Sequence, residues 1–257
     1  MRTKELFDLT GKLAIVTGGA TGLGRQMAEG LAEMGAHLVL CARNVERCEE
    51  AAAELSQLGV RAIGLRCDVT NPDEVNAMVE KIRAEFSRID ILVNNSGRMW
   101  AAPAEIMSLA DWQKVMDANV TGTFLCSQAA GRVMIEQGGG KIINISSVAG
   151  LRGAPSEITD VIAYSTSKGA IIAFTRDLAC KWARYNINVN AIAPGWFRTH
   201  MSEWVLEHRG EALKAFIPLR RFGGPDELKG AVVYLASDAS NYMTGQVLVV
   251  DGGMSIM

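Results

Sequence analysis

Tyr164 and Lys168 stand four residues apart in Ala163-Tyr164-Ser165-Thr166-Ser167-Lys168, inside a stretch that reads as helix. Residues at that spacing share one helix face. A phenol ionises near pH 10 and is a poor base at neutral pH. An ammonium on the next turn favours the phenolate and lowers that value. Such a pair can pass a proton to or from an alcohol oxygen. The same spacing also occurs on an ordinary helix face with a snorkelling lysine, so the pair takes its meaning from the rest of the chain.

A second group of residues suits an anion. Thr17-Gly18-Gly19-Ala20-Thr21-Gly22-Leu23-Gly24 follows a short apolar run and opens a helical pattern. The glycines Gly18, Gly22 and Gly24 permit a tight turn and close backbone approach. The helix start at Thr21, Gly22 and Leu23 presents free N–H groups, and a dinucleotide pyrophosphate is their natural occupant. The spacing is G-x-x-x-G-x-G rather than G-x-G-x-x-G. After the next apolar run comes Cys41-Ala42-Arg43-Asn44, with no carboxylate for ribose hydroxyls. Arg43 can pair there with a 2′-phosphate through its planar fork, although a solvated arginine at a helix start is the plainer alternative. The expected cofactor is NADP(H) in preference to NAD(H).

These residues need elements to position them. Apolar runs at 12–17, 36–42, 60–65, 89–93, 141–145, 187–192 and 246–250 alternate with helical patterns at 22–34, 44–58, 72–86, 104–117, 119–136 and 163–185. Runs that are apolar throughout are buried on both faces. Their alternation with helices implies right-handed βαβ units. The expectation is an α/β fold: one Rossmann-type domain over 1–257, a doubly wound parallel sheet of about seven strands with helices on both faces. The irregular stretch 195–225 is too long for a plain connection and is expected to form a lid or pocket wall.

Composition narrows the class. The chain has 257 residues, 49% of them hydrophobic and 21% charged, with a net charge of −2. No basic block suggests a nucleic-acid partner, and no apolar run nears the roughly 20 residues of a membrane span. The first residues carry no apolar signal core, so a cytoplasmic protein is expected. Cysteines at 41, 48, 67, 126 and 180 form no C-x-x-C pair and suit reduced thiols. His37, His200 and His208 do not cluster at metal-ligand spacing, and no metal is inferred.

With the glycine loop and Tyr164/Lys168 in place, the chain resembles the short-chain dehydrogenase/reductase (SDR) family over essentially its whole length. Thr17 to Gly24 matches that family's T-G-x-x-x-G-x-G loop. Asp68-Val69 matches the D-V pair whose aspartate meets the adenine. Asn94-Asn95-Ser96-Gly97 matches N-N-A-G with serine in place of alanine, and Pro194-Gly195-Trp196-Phe197-Arg198-Thr199 matches P-G-x-x-x-T beside the nicotinamide. The resemblance implies cofactor contacts from Asp68, Val69, Asn95, Ser96, Gly97, Pro194, Gly195, Phe197 and Thr199, and from Tyr164 and Lys168. It also implies a catalytic set of Asn119, Ser147, Tyr164 and Lys168. In that set Tyr164 exchanges the proton while Ser147 polarises the carbonyl. Lys168 depresses the phenol pKa and grips the nicotinamide ribose, and Asn119 holds a water. Asp251-Gly252-Gly253 matches the closing D-G-G.

The implied reaction is reversible hydride transfer between nicotinamide and a ketone or secondary alcohol. Two strings, 6–12 and 193–199, look most like gluconate 5-dehydrogenase-type members and are also similar to 3-oxoacyl-carrier-protein reductases. Ser147 and Tyr164 are 17 positions apart, longer than the family's usual interval. The excess falls in 151–162, expected to form a rim loop that sets substrate choice. Arg98, Arg152 and Arg198 are candidates for holding an anionic substrate, with solvated loop arginines as the alternative. The family further implies a homotetramer whose dimer contact uses the helices at 119–136 and 163–185.

Overall fold

Strand β1 (Leu13–Thr17) is buried at all five positions, as a strand covered on both faces must be. In the computed structural model, which describes residues 2–257, β1 lies inside a seven-stranded parallel sheet. The strands are β2 (His37–Ala42), β3 (Ala62–Arg66), β4 (Ile91–Asn94), β5 (Gly140–Ile145), β6 (Ile187–Pro194) and β7 (Val247–Val250). Their order is β3-β2-β1-β4-β5-β6-β7. Ile15 sits opposite Val39 on one side and Leu92 on the other. The order reverses between β1 and β4, and the carboxyl ends there open a crevice of the kind that binds ligands in such sheets.

Side chains alternate across the sheet with period two. Ala14, Val16, Leu38, Leu40 and Val93 join one core with α1 (Gly22–Glu33), α2 (Val45–Ser56) and α8 (Lys229–Ala236). Leu13, Ile15, Val39 and Leu92 join a second core with α3 (Pro72–Phe86), α5 (Gly122–Gln137) and α6 (Ile162–Trp182). Each fully buried aliphatic side chain contributes about 1.5–3 kcal/mol over its exposed state, which fixes the register wherever both faces are covered.

Helix starts follow local chemistry. Asn44 Oδ1 accepts from Arg47 N–H at 2.9 Å. Asn71 Oδ1 accepts from the N–H groups of Asp73 and Glu74, with Pro72 at the first helical position. Ser108 Oγ accepts from Asp111 N–H at 3.1 Å to start α4 (Leu109–Met116). At α1 the Thr21 side chain makes no capping hydrogen bond, so the first-turn N–H groups of that helix remain available.

Two expectations are corrected. The stretches 104–117 and 119–136 are not two helices. Residues 104–106 form a short 3-10 turn, and α4 continues into α5 through a π-turn at Asp117–Thr121, where Gly122 N–H donates to Asp117 O. The 195–225 segment is not irregular throughout. It contains α7 (Glu203–Ala215), anchored by buried Leu206, Gly210 and Leu213, a spacing of four and three that marks one helix face. Among the described residues no helix is long and apolar enough to cross a membrane. No three His, Cys, Asp or Glu among them are grouped to hold a metal ion.

Candidate active site

At the carboxyl end of β1 the chain turns through Gly18 and Gly22, at φ +63° and +55°, a region that favours glycine. A Cβ on Gly24 would lie 2.2 Å from Gly18 O and 2.5 Å from Asn95 Nδ2. The loop therefore folds onto itself with no room for a side chain. Asn95 is its clasp: Nδ2 donates to Thr17 O at 3.0 Å and to Gly18 O at 3.1 Å. Thr17 Oγ1 in turn accepts from Asn95 N–H at 3.0 Å and Ser96 N–H at 2.9 Å. Thr17, absent from the expected site, holds this loop in place. Its signal was the threonine that opens the glycine motif. Leu23 sits half-buried in the first turn of α1, packed on the core.

The far end of the crevice is set by β2 and β3. Arg43 is exposed, and among the described residues its guanidinium has no ion-pair or hydrogen-bond partner. Asp68 Oδ1 accepts from Thr70 N–H at 3.0 Å and from Thr70 Oγ1 at 2.8 Å. That backbone bond holds the Asp68 carboxyl below its usual range; burial opposes it, and Arg43 adds a smaller pull. Val69 is buried against Gly122, whose absent Cβ would lie 2.7 Å from the valine methyl. The D-V pair thus leans on the helix that carries Asn119.

The 194–199 segment returns over the glycine loop. A Cβ on Gly195 would sit 2.8 Å from the backbone of Asp251, whose carboxylate accepts from Gly253 and Ser255 N–H. Pro194, the last residue of β6, delivers the chain to that contact. The Thr199 methyl would lie 3.5 Å from a Cβ on Gly22. Phe197 buries its ring against Gly223, so its side chain serves the core.

The proton-handling residues meet beside this frame. Lys168 is buried on α6, and its Nζ donates to Ile145 O at 2.7 Å. It lies 5.4 Å from the centre of the Tyr164 ring. A Cβ on Gly97 would be 3.2 Å from Asn119 Oδ1 and 3.7 Å from Lys168 Nζ, so both groups converge on one glycine. Asn119 Nδ2 donates to Ser167 Oγ at 2.8 Å and to Arg98 O at 2.9 Å, while its Oδ1 accepts from Arg98 N–H at 2.7 Å. Ser167 then donates to Tyr164 O at 2.7 Å. Ser167 was missed because nothing in its neighbourhood in sequence distinguishes it. Ser147 Oγ accepts from Ala149 N–H at 3.2 Å and caps the short turn Val148–Gly150.

The electrostatics correct one expectation. In the protein without nucleotide the Tyr164 pKa is raised rather than lowered, because burial outweighs the hydrogen bond from Ser147. Burial brings the Lys168 ammonium itself down to about 8.

The mouth differs from the sequence reading at Arg152. Its Nη1 donates to Met254 O at 2.5 Å and to Met257 O at 3.3 Å, so it ties the chain terminus down and is not free for a substrate. Arg98 and Arg198 are exposed. The 151–162 loop lines a cavity of about 780 Å³ with α7, walled by Pro155, Ile158, Leu213, Phe216 and Met257.

Known proteins resemble this arrangement. A family profile described as Enoyl-(Acyl carrier protein) reductase matches residues 18–255. A 3-oxoacyl-[acyl-carrier-protein] reductase of Synechocystis sp. is 41% identical over 96% of this chain and 98% of its own. A short-chain type dehydrogenase/reductase from Mycobacterium marinum superimposes with a TM-score of 0.94 at 41% identity, covering 98% of this chain and 99% of that one. A gluconate 5-dehydrogenase from Burkholderia cenocepacia J2315, solved in complex with NADP and tartrate, superimposes with a TM-score of 0.95 at 37% identity over 100% of both chains.

Proposed function

The chain belongs to the short-chain dehydrogenase/reductase family and is an oxidoreductase of the alcohol–ketone couple; from that premise we propose an NADP(H)-dependent enzyme acting on a sugar acid of the gluconate type. The observation that carries this reading is the convergence of Tyr164, Lys168 and Asn119 beside a glycine loop that has no room for a side chain at Gly19 or Gly24. The crevice suits a dinucleotide. The uncapped start of α1 offers N–H groups to a pyrophosphate, the Asp68 carboxylate suits the adenine end, and the unpartnered Arg43 suits a 2′-phosphate. Gly18, Thr21, Gly22, Leu23, Gly24, Arg43, Asp68, Val69, Asn95, Ser96, Gly97, Pro194, Gly195, Phe197 and Thr199 make up that cradle, some by contact and some by holding the loop. When bound, the nicotinamide exchanges a hydride with the carbinol carbon.

The chain's own groups handle the proton. The Tyr164 hydroxyl gives a proton to the carbonyl oxygen in reduction and takes it back in oxidation. Its raised pKa keeps it protonated at neutral pH, which suits the donor role. Ser147 donates a hydrogen bond to the same oxygen and stabilises the charge that develops there. Lys168 keeps Nζ on Ile145 O at the base of the crevice, and Asn119 fixes Arg98 and Ser167 around it. Support for an anionic substrate comes from exposed Arg98 and Arg198, and from tartrate in the Burkholderia neighbour. A 3-oxoacyl thioester is the second reading, favoured by the Synechocystis relative and by the apolar wall of the rim cavity.

The proposal extends to a cytoplasmic location, in keeping with five free cysteines, to a single domain over 1–257, and to a homotetramer. Tyr164→Phe, assayed with NADPH against sugar-acid and oxoacyl ketones, tests the mechanism. Turnover should fall by about 10²–10⁴-fold, with the NADPH Kd held within about threefold, under 1 kcal/mol. Turnover within tenfold of wild type would remove Tyr164 from the proton-transfer role.

A further inference from the structure

Arg209 lies on α7, outside the catalytic set, and its Nη1 donates to Glu157 O at 3.0 Å and to Ile158 O at 3.1 Å. Those carbonyls end a small turn in which Ile158 N–H and Thr159 N–H both donate to Pro155 O. A turn of this kind leaves its last carbonyls unsatisfied, and a guanidinium is a suitable donor for them. Among the described residues nothing else donates to either carbonyl. We infer that Arg209 is a positioning residue that locks the 151–162 loop to α7, so that loop and helix form one wall of the substrate mouth.

Three further observations support the lock. A cavity of about 780 Å³ is lined by residues of both the loop and α7. Arg209 bridges the two. The other end of the loop is fixed independently, because Ala102 N–H donates to Asp160 O at 2.9 Å and Ala102 pairs with Val161. At its start, Arg152 is tied to the carbonyls of Met254 and Met257. The middle of the loop, where the excess length falls, thus depends on one side chain from the lid helix. A loop so held presents Pro155 and Ile158 to the cavity in one arrangement, which sets the shape of the mouth without touching the nucleotide cradle.

This inference rests on the oxidoreductase reading for its kinetic arm, and a second arm is independent of it. Arg209→Met should raise the KM for the preferred ketone about fivefold or more, leaving the NADPH Kd within about twofold and kcat within about threefold. Arg209→Lys, which keeps a donor, should recover part of the loss. In a variant with four residues removed from 154–159, Arg209→Met should add nothing further, because its acceptors are gone. Hydrogen exchange needs no substrate: Arg209→Met should speed exchange at 155–160 and at 203–210 together. If exchange quickens but no ketone is turned over even by the wild type, the enzyme reading fails and the lock stands. Unchanged exchange, additive effects in the shortened variant, or an equal loss of NADPH affinity would overturn the lock.

Discussion

Burial governs both ionisable members of the proton-handling pair, in opposite senses. It raises the Tyr164 phenol and lowers the Lys168 ammonium to about 8, so at neutral pH the phenol is protonated. On raising the pH, Lys168 gives up its proton first. In the protein without nucleotide, ¹³C-tyrosine NMR should therefore show a Tyr164 resonance still protonated at pH 10. Lys168→Met should leave it protonated there; a resonance that titrates below pH 9 in the wild type would contradict the burial argument. Arg43 is judged by a different comparison. Among the described residues its guanidinium makes no hydrogen bond or ion pair, and its pull on Asp68 is small, so Arg43→Ala removes chiefly what it does for a ligand. The KM for NADPH should rise about tenfold or more, ~1.4 kcal/mol, while that for NADH stays nearly level. Equal changes would show that Arg43 does not hold a 2′-phosphate.

At the scale of elements, the strands and one cap were readable and the departures from regularity were not. Seven continuously apolar runs gave seven strands to within a few residues, because only a two-sided sheet buries such runs. Asn44, legible as a cap before the helical pattern at 44–58, starts α2 by accepting from a first-turn N–H group, whereas the Asn71 cap of α3 emerged only in the structure. The π-turn at Asp117–Thr121 left no such mark: a hydrogen bond slipped by one residue changes no residue type. The bond of Arg209 to Glu157 and Ile158 was hidden for the same reason, since its acceptors are main-chain carbonyls. Arg152 was read as either a ligand group or a solvated loop arginine and is neither, because its partners lie more than a hundred residues away in the chain.

Strand β5 carries another buried feature unseen in the sequence. Lys141 sits at the amino end of the sheet, donating to Asn188 Oδ1 at 2.8 Å and Asn241 Oδ1 at 2.7 Å. Burial lowers its pKa to about 8. Its folded value lies below its ordinary 10.5, so between these two the unfolded chain binds more protons and the contribution of this group to stability rises with pH. Four buried cysteines with raised pKa act oppositely above pH 9, so the effect must be read as a difference. Relative to Lys141→Met, wild-type stability in urea should improve from pH 7.5 to pH 10. A flat difference would mean that Lys141 keeps its ordinary pKa.

Considered as a whole molecule, the chain leaves an apolar face on α5 and α6. Phe124 is 45% exposed although it meets Phe174 edge to face at 6.5 Å. In a subunit contact this face would be covered. If the proposed tetramer uses this face, Phe124→Glu should lower the mass found by light scattering below that of the wild type, and an unchanged mass would move the contact elsewhere. The sheet itself also bears on how the molecule comes to exist. All six strand pairings are parallel, so no two neighbours are joined by a hairpin. Central β1 completes its pairing only with β4, residues 91–94, and until then one of its edges stays open. Chain closure over such distances is slow. During synthesis the fully buried strand β1 emerges first and waits for β4, which makes the nascent chain, more than the finished enzyme, the form in need of protection from its neighbours.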